Sequence, residues 1–200
     1  MRFQSVLESE RQREEHCHIL VLKDGCCMSA PYEGGMLGYR IPCGNVVLPM
    51  YLKGPRSLWR WIDQIVFIHV EDHALHITDA QGLKIVLPEL ILSHHYTGPE
   101  FTLAEGILDK DGFSAAMTVA KDCLGTIKDG NLCFQKTRVG YVTYRHNGLR
   151  EFVWPIKMPL LLDVLDGRML FWRLEQLEAR LGLLEFTRGS QWAGVVVELV

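Results

Sequence analysis

The sequence predicts an α+β fold in which antiparallel sheets carry helices on one face. Three observations lead there. In Ile65–Leu87, IVFIHVEDHALHITDAQGLKIVL, apolar residues alternate on both sides of two turn-like breaks, Glu71–Ala74 and Asp79–Gly82, which is the pattern of three short antiparallel strands. Asp111–Leu124 and Arg168–Leu181 instead carry apolar residues at the three-to-four spacing of an amphipathic helix. Asn147-Gly148 lies between alternating residues in YVTYRHNGLREFVW, a signal for a type I′ hairpin turn.

Taken in order, residues 2–15 read as a short surface helix, with Phe3, Val6, Leu7 and Glu10 at helical spacing among charged neighbours. Cys17–Leu22 is a strand, Lys23-Asp24-Gly25 a turn, and Cys26–Ala30 the returning partner. Pro31–Gly44 holds four glycines and two prolines and reads as a loop. Val46–Leu52 is an apolar run punctuated by Gly54-Pro55, and Pro55–Ile62 is a short helix with proline in its first turn, where a missing N–H costs nothing. Within Ile65–Leu87, a two-residue loop at Asp72-His73 sets Val70 opposite Leu75 and His69 opposite His76. Val66, Ile68, Val70, Leu75 and Ile77 then share a core face, and Phe67, His69, His76 and Thr78 a mixed, partly wet one.

Pro88–Gly98 reads as a connection, and Leu103–Leu108 fits a strand ending at Asp109. The helix Asp111–Leu124 places Phe113, Ala116, Met117, Ala120 and Leu124 on one face, with Asp111 as its cap and Gly125 as its end. Strands follow at Leu132–Gln135 and Gly140–His146, then the Asn147-Gly148 hairpin and the apolar, proline-flanked Pro155–Leu165. Arg168–Leu181 reads as a helix with Leu170, Leu174, Leu177 and Leu181 inward, and Val195–Val200 as a strand that its β-branched run makes central. The expected division is 1–44 (helix, hairpin and Gly-rich loop), 45–154 (the α+β domain) and 155–200 (a helix and strand packing on it or on a partner).

Composition narrows the function classes. A chain that is 48% hydrophobic and 22% charged is that of a folded protein. A net charge of −3 excludes a globally basic nucleic-acid binder but not a local basic face. No apolar run is long enough for a membrane helix, and MRFQSVLESERQREEH lacks the apolar centre of a secretion signal, so a cytoplasmic location without membrane contact is expected. The six cysteines form no CxxC pair and are expected as reduced, mostly buried thiols.

The chain echoes itself. Val70–Ile77 and Ile127–Phe134 align without gaps, each a hairpin with acidic turn chemistry followed by a further strand and preceded by a helix, Pro55–Ile62 or Asp111–Leu124. This predicts two pseudo-repeated helix-plus-strands units. The run Ile65–Ile77 with its V-E-D-x-x-L-x-I pattern, then Thr78-Asp79, then Ile107–Leu124 and Asp129–Tyr144, resembles a domain of the bacterial DNA polymerase sliding clamp over about Val46–His146. The resemblance implies a clamp-like domain built from paired helix-plus-strands units, and a ring whose inner helices face DNA. This chain departs from it in a first helix interrupted by Gly54-Pro55 and in Arg168–Leu181, which has no counterpart there.

Encircling DNA without reading sequence requires cations toward the phosphates, and the two units offer Lys53, Arg56, Arg60, Lys110, Lys121 and Lys128 as DNA-facing residues. Among the histidines, His69 and His76 become cross-strand neighbours close enough to share a metal, although the sequence supplies only two ligands of the three or four required. GxSxG, GxxxxGK[ST] and GxGxxG are absent, so no catalytic residue and no cofactor is expected. The expected function is a non-catalytic, self-associating, clamp-like protein acting on or near duplex DNA, with a homo-oligomer or protein partner. A small metal-dependent enzyme using His69 and His76, and a plain protein-interaction module, stand beside it.

Overall fold

The computed structural model describes residues 2–22, 25–44, 50–61, 64–71, 74–87, 91–95, 101–119, 123–146, 149 and 151–200. Helix α1 (Arg2–Arg13) buries Phe3 and Leu7, four residues apart on one face, and leaves its charged residues to solvent. A meander follows: β1 (His16–Leu22), β2 (Gly25–Tyr32) and β3 (Gly35–Ile41). The two-residue β4 (Cys43–Gly44) and β5 (Met50–Pro55) lead into a 3-10 turn at Arg56–Trp61. A second meander is β6 (Ile65–Glu71), β7 (Ala74–Asp79) and β8 (Lys84–Leu87), followed by β9 (Ile91–His95). Strand β10 (Phe101–Asp109) runs into α2 (Lys110–Thr118) and the meander β11 (Leu124–Lys128), β12 (Asn131–Phe134) and β13 (Thr137–Arg145). Last come β14 (Glu151–Val153), α3 (Met158–Asp163) and the meander β15 (Met169–Glu178), β16 (Leu181–Arg188) and β17 (Gln191–Glu198).

Sheet dominates. Thirteen of the described strands form one antiparallel sheet in the order β14-β11-β12-β13-β10-β15-β16-β17-β3-β2-β1-β5-β9. The halves of the chain meet in it where β3 pairs with β17, Leu37 opposite Ala193 and Gly38 opposite Trp192. A smaller sheet, β4-β6-β7-β8, is antiparallel except for the β4–β6 pair. The main core runs beneath the large sheet and includes the rings of Phe113, Phe134, Phe152, Trp154, Trp172 and Phe186. A second apolar cluster of Leu20, Leu22, Cys27, Leu177, Leu183 and Trp192 occupies another part of the sheet. No described helix is long and apolar enough to cross a membrane. All six thiols are free, with Cys17, Cys26 and Cys27 fully buried.

The expected antiparallel sheets are present, and the β6–β7 register is the expected one, Val70 with Leu75 and His69 with His76. Several elements differ. Arg168–Leu181 is strand β15 and the start of β16, not a helix. Leu170, Trp172 and Leu174 alternate into the main core; the pairing then shifts between Gln176 and Glu178, and Leu177 falls in the second cluster. Residues four apart satisfy both periods, and the bulge restores an apparent helical spacing.

Pro31–Gly44 is likewise strand rather than loop. Glu33 (φ 47°) and Gly34 (φ 82°) make the tight turn between β2 and β3. Gly38 serves close packing, since a Cβ there would lie 2.0 Å from the Met28 carbonyl oxygen. Pro88–Gly98 contains β9. Helix α2 ends at Thr118, its cap is Asp109 rather than Asp111, and Leu124 and Gly125 belong to β11. Asn147-Gly148 lies outside the described residues, and the strands flanking it are not partners: β13 pairs with β12 and β10, and β14 with β11. In β6 a pairing shift between Ile65 and Phe67 leaves Val66 exposed while Ile65 and Ile68 are buried.

Leu174 is wholly buried on β15 between β10 and β16. Leu174→Ala is expected to destabilise by about 2–5 kcal/mol as a core truncation. Urea unfolding checks this, and a loss below about 0.5 kcal/mol would be that of a surface position.

Candidate functional site

Among the described residues, several places concentrate polar chemistry or an accessible recess. The first is the outer face of the β6–β7 hairpin. His69 and Glu71 are two apart on β6 and project to the same side, and the ladder sets His76 directly across from His69. The imidazoles stack with centroids 4.6 Å apart at 20°. Glu71 Oε2 lies 3.5 Å from His69 Nε2, and one donor atom from each of the three residues falls within 4.8 Å of the other two. The Phe67 ring flanks His69 at 5.9 Å. The ladder thus brings the expected pair together and adds Glu71, a third donor that its position two residues from His69 would have revealed.

The second place is basic. Arg56 and Arg60 sit on the 3-10 turn and line a recess with Arg11, Gln12, Ser57 and Trp59. Arg56 donates to the Gln12 carbonyl at 3.1 Å and so ties the turn to the end of α1. Arg11 and Arg13 in the last turn of α1 suit the negative end of the helix dipole and pair with Glu8 and Glu10. Neither Arg11 nor Arg13 stands out in the sequence, where that segment reads as a solvated surface helix.

The remaining expected DNA-facing residues are dispersed. Lys53 lies on β5 opposite His18. Lys110 donates to the Leu165 carbonyl at 2.8 Å, a structural contact at the start of α2. Beside it Arg168 forks onto Asp109, with contacts of 2.9 and 2.7 Å that hold the Asp109 carboxyl down to about 2. Lys128 lines a separate recess with Asp129, Arg145 and Glu151. Lys121 lies outside the described residues.

The third and fourth places meet at the β3–β17 seam. An apolar recess there is lined by Leu20, Met36, Tyr51, Leu183, Trp192 and Val195. Tyr51 Oη contacts His18 Nδ1, whose other ring nitrogen lies 3.3 Å from Glu14. On the adjoining strand β16 Glu185 is buried, accepting hydrogen bonds from Arg40 and, at 2.6 Å, from Trp192 Nε1. Glu175, also buried, pairs with Arg173, which reaches Glu105 as well. Burial pushes the Glu185 carboxyl up to about 7, against the lowering influence of Arg40.

No family model and no curated protein matches the chain. Among solved structures, it is similar to the Helicobacter pylori beta clamp bound to a DNA ligase peptide, at 11% identity, with a TM-score of 0.44 and 99% of this chain covering 65% of that one. It is similar to the DNA polymerase III subunit beta sliding clamp of Bartonella birtlesii at 12% identity and a TM-score of 0.42, with 99% of this chain and 61% of that one covered. The DNA polymerase III subunit beta of Pseudomonas aeruginosa gives 12% identity and a TM-score of 0.39, with 100% and 62% covered. The chain therefore spans less than two thirds of these structures.

Proposed function

We propose that this chain is a non-catalytic, clamp-like binding protein that self-associates and acts on or near duplex DNA. The observation that carries the reading is the recurrence of a helical segment followed by a three-stranded meander. We read four such units: α1 with β1–β3, the Arg56–Trp61 turn with β6–β8, α2 with β11–β13, and α3 with β15–β17. The first and last of these units join edge to edge through β3 and β17, while β6–β8 lie in the smaller sheet, and the β3–β17 pairing supports a wall that grows by strand pairing. Closing such a wall requires a symmetric assembly of copies.

Arg56 and Arg60, with Arg11 beside them, are the phosphate contacts in this reading. Association with duplex DNA is then weak, indifferent to sequence and steeply weakened by salt, because each phosphate contact releases a counterion. Fluorescence anisotropy across a salt series, together with the solution mass, tests it. The double variant Arg56→Glu, Arg60→Glu is expected to abolish binding at only a small cost in Tm, since solvated charges contribute little to stability and Arg56 loses one exposed hydrogen bond to the Gln12 carbonyl. A monomer that fails to associate with DNA at low salt would overturn the proposal. The apolar recess at the seam favours a second reading, a protein-interaction module, in which Met36 and Tyr51 meet an apolar partner segment.

A further inference from the structure

We propose that the β6–β7 hairpin binds one divalent transition-metal ion through His69, Glu71 and His76. The proposal is independent of the clamp-like reading and rests on side-chain placement alone.

The backbone has already done most of the positioning. His69 and His76 are held opposite each other by the ladder, and Glu71 stands on the same side of β6 as His69. In a tetrahedral zinc site, donors about 2.0–2.2 Å from the ion sit roughly 3.4 Å from each other. The His69–Glu71 contact at 3.5 Å is already at that spacing, and the widest separation among the three donors is no more than 4.8 Å. Bringing the widest separation down to that spacing takes at most about 1.4 Å of relative donor movement.

The surroundings agree. Phe67 lies beside His69, and Val86 is paired with His76 on β8, so apolar groups adjoin the donors. Phe67 and Val86 are themselves exposed, so they flank the donors without closing them off from solvent. His69 Nδ1 is shielded from solvent without a hydrogen-bond partner. Glu71 faces the other ring nitrogen, so Nε2 is the donor that His69 offers the ion and Nδ1 is not a ligand.

Donor chemistry selects the ion. Two imidazoles and one carboxylate suit Zn²⁺, Co²⁺, Ni²⁺ or Cu²⁺, whereas Mg²⁺ and Ca²⁺ prefer all-oxygen sites. Three protein donors leave a coordination position facing solvent on the exposed side of the hairpin, where a water or a group from another molecule completes the shell.

The test uses the full chain stripped with a chelator and titrated with ZnCl₂ against a chromophoric competitor. One ion per chain is expected, together with a rise in Tm, because an ion held by the folded state alone stabilises it. His69→Gln and His76→Gln are each expected to weaken binding by more than about 100-fold, beyond the 10–100-fold typical of an outer partner. Glu71→Gln is expected to weaken it by about 10-fold and His16→Gln to leave it unchanged. Co²⁺ substitution gives an independent readout, in which visible d–d bands without thiolate charge transfer support the nitrogen and oxygen donor set. Should a histidine variant fail to fold, Glu71→Gln and the Co²⁺ spectrum still decide. Absence of saturable one-to-one binding, binding unchanged in His76→Gln, or a thiolate-dominated Co²⁺ spectrum would each overturn the proposal.

Discussion

Trp154→Ala is expected to cost about 3–5 kcal/mol, the range for deleting a large aromatic side chain from a packed core. Trp154 is 1% exposed. Its ring sits 4.8 Å from that of Phe113 and 5.0 Å from Phe152, and farther from Phe186 and Phe134, at 6.3 and 6.4 Å. One side chain therefore joins α2, β12, β14 and β16, and its loss leaves a cavity that four elements cannot all move to fill. Gly125 on β11 sets the other boundary, because a Cβ there would come 1.8 Å from Trp154 Nε1. That indole N–H is buried without a hydrogen-bond partner. Trp154→Phe is expected to cost less than Trp154→Ala, since it keeps most of the ring volume while also removing the uncompensated donor. It should also soften the penalty of Gly125→Ala. Chemical denaturation of the single and double variants measures that coupling directly. Strict additivity of the two substitutions would show that Gly125 does not owe its identity to the indole.

The parts of this fold legible in the sequence were those where one period and one turn agreed. Ile65–Asp79 displays both, and its register followed down to the pairing of His69 with His76. Arg168–Leu181 did not, because Leu170 and Leu174 fit a strand as well as a helix and the β15 bulge moved Leu177 into a spacing that a helix would produce. The glycines of Pro31–Gly44 carried the usual sign of a loop, yet only Gly34 marks the turn, while Gly38 admits the neighbouring strand. Asn147-Gly148 read as a hairpin because nothing local tells that both edges of β13 are already taken. The candidate metal site was two thirds visible, with Glu71 assigned to a turn although strand β6 includes it. Arg40 and Glu185 are 145 positions apart, and no local pattern links residues that only the β3–β17 seam brings together.

Stability is expected to fall as pH rises from about 5 to 8, and Glu185 is expected to account for on the order of 3 kcal/mol of the fall. The carboxyl is pushed from an ordinary 4.5 up to about 7, burial being the main cause, with Glu175 adding repulsion and Arg40, Trp192 and Arg173 opposing. Between those two values the folded chain retains a proton that the unfolded chain has released. The folded state thus binds more protons there, so raising the pH favours unfolding across the window and has no further effect through this group above about 8. A carboxyl depressed in the folded state would give the opposite slope, as Asp109 beneath Arg168 does at much lower pH. Glu185→Gln keeps the shape and one acceptor for Arg40 and Trp192 but cannot ionise. Every other ionisable group is common to both proteins, so the difference between parent and variant isolates Glu185. Urea midpoints measured at half-unit intervals from pH 5 to 8 are expected to converge at the acid end and to separate in favour of the variant toward pH 8. An identical slope in both would mean that Arg40 and Trp192 hold Glu185 ionised throughout, and that burial at the seam does not govern its proton.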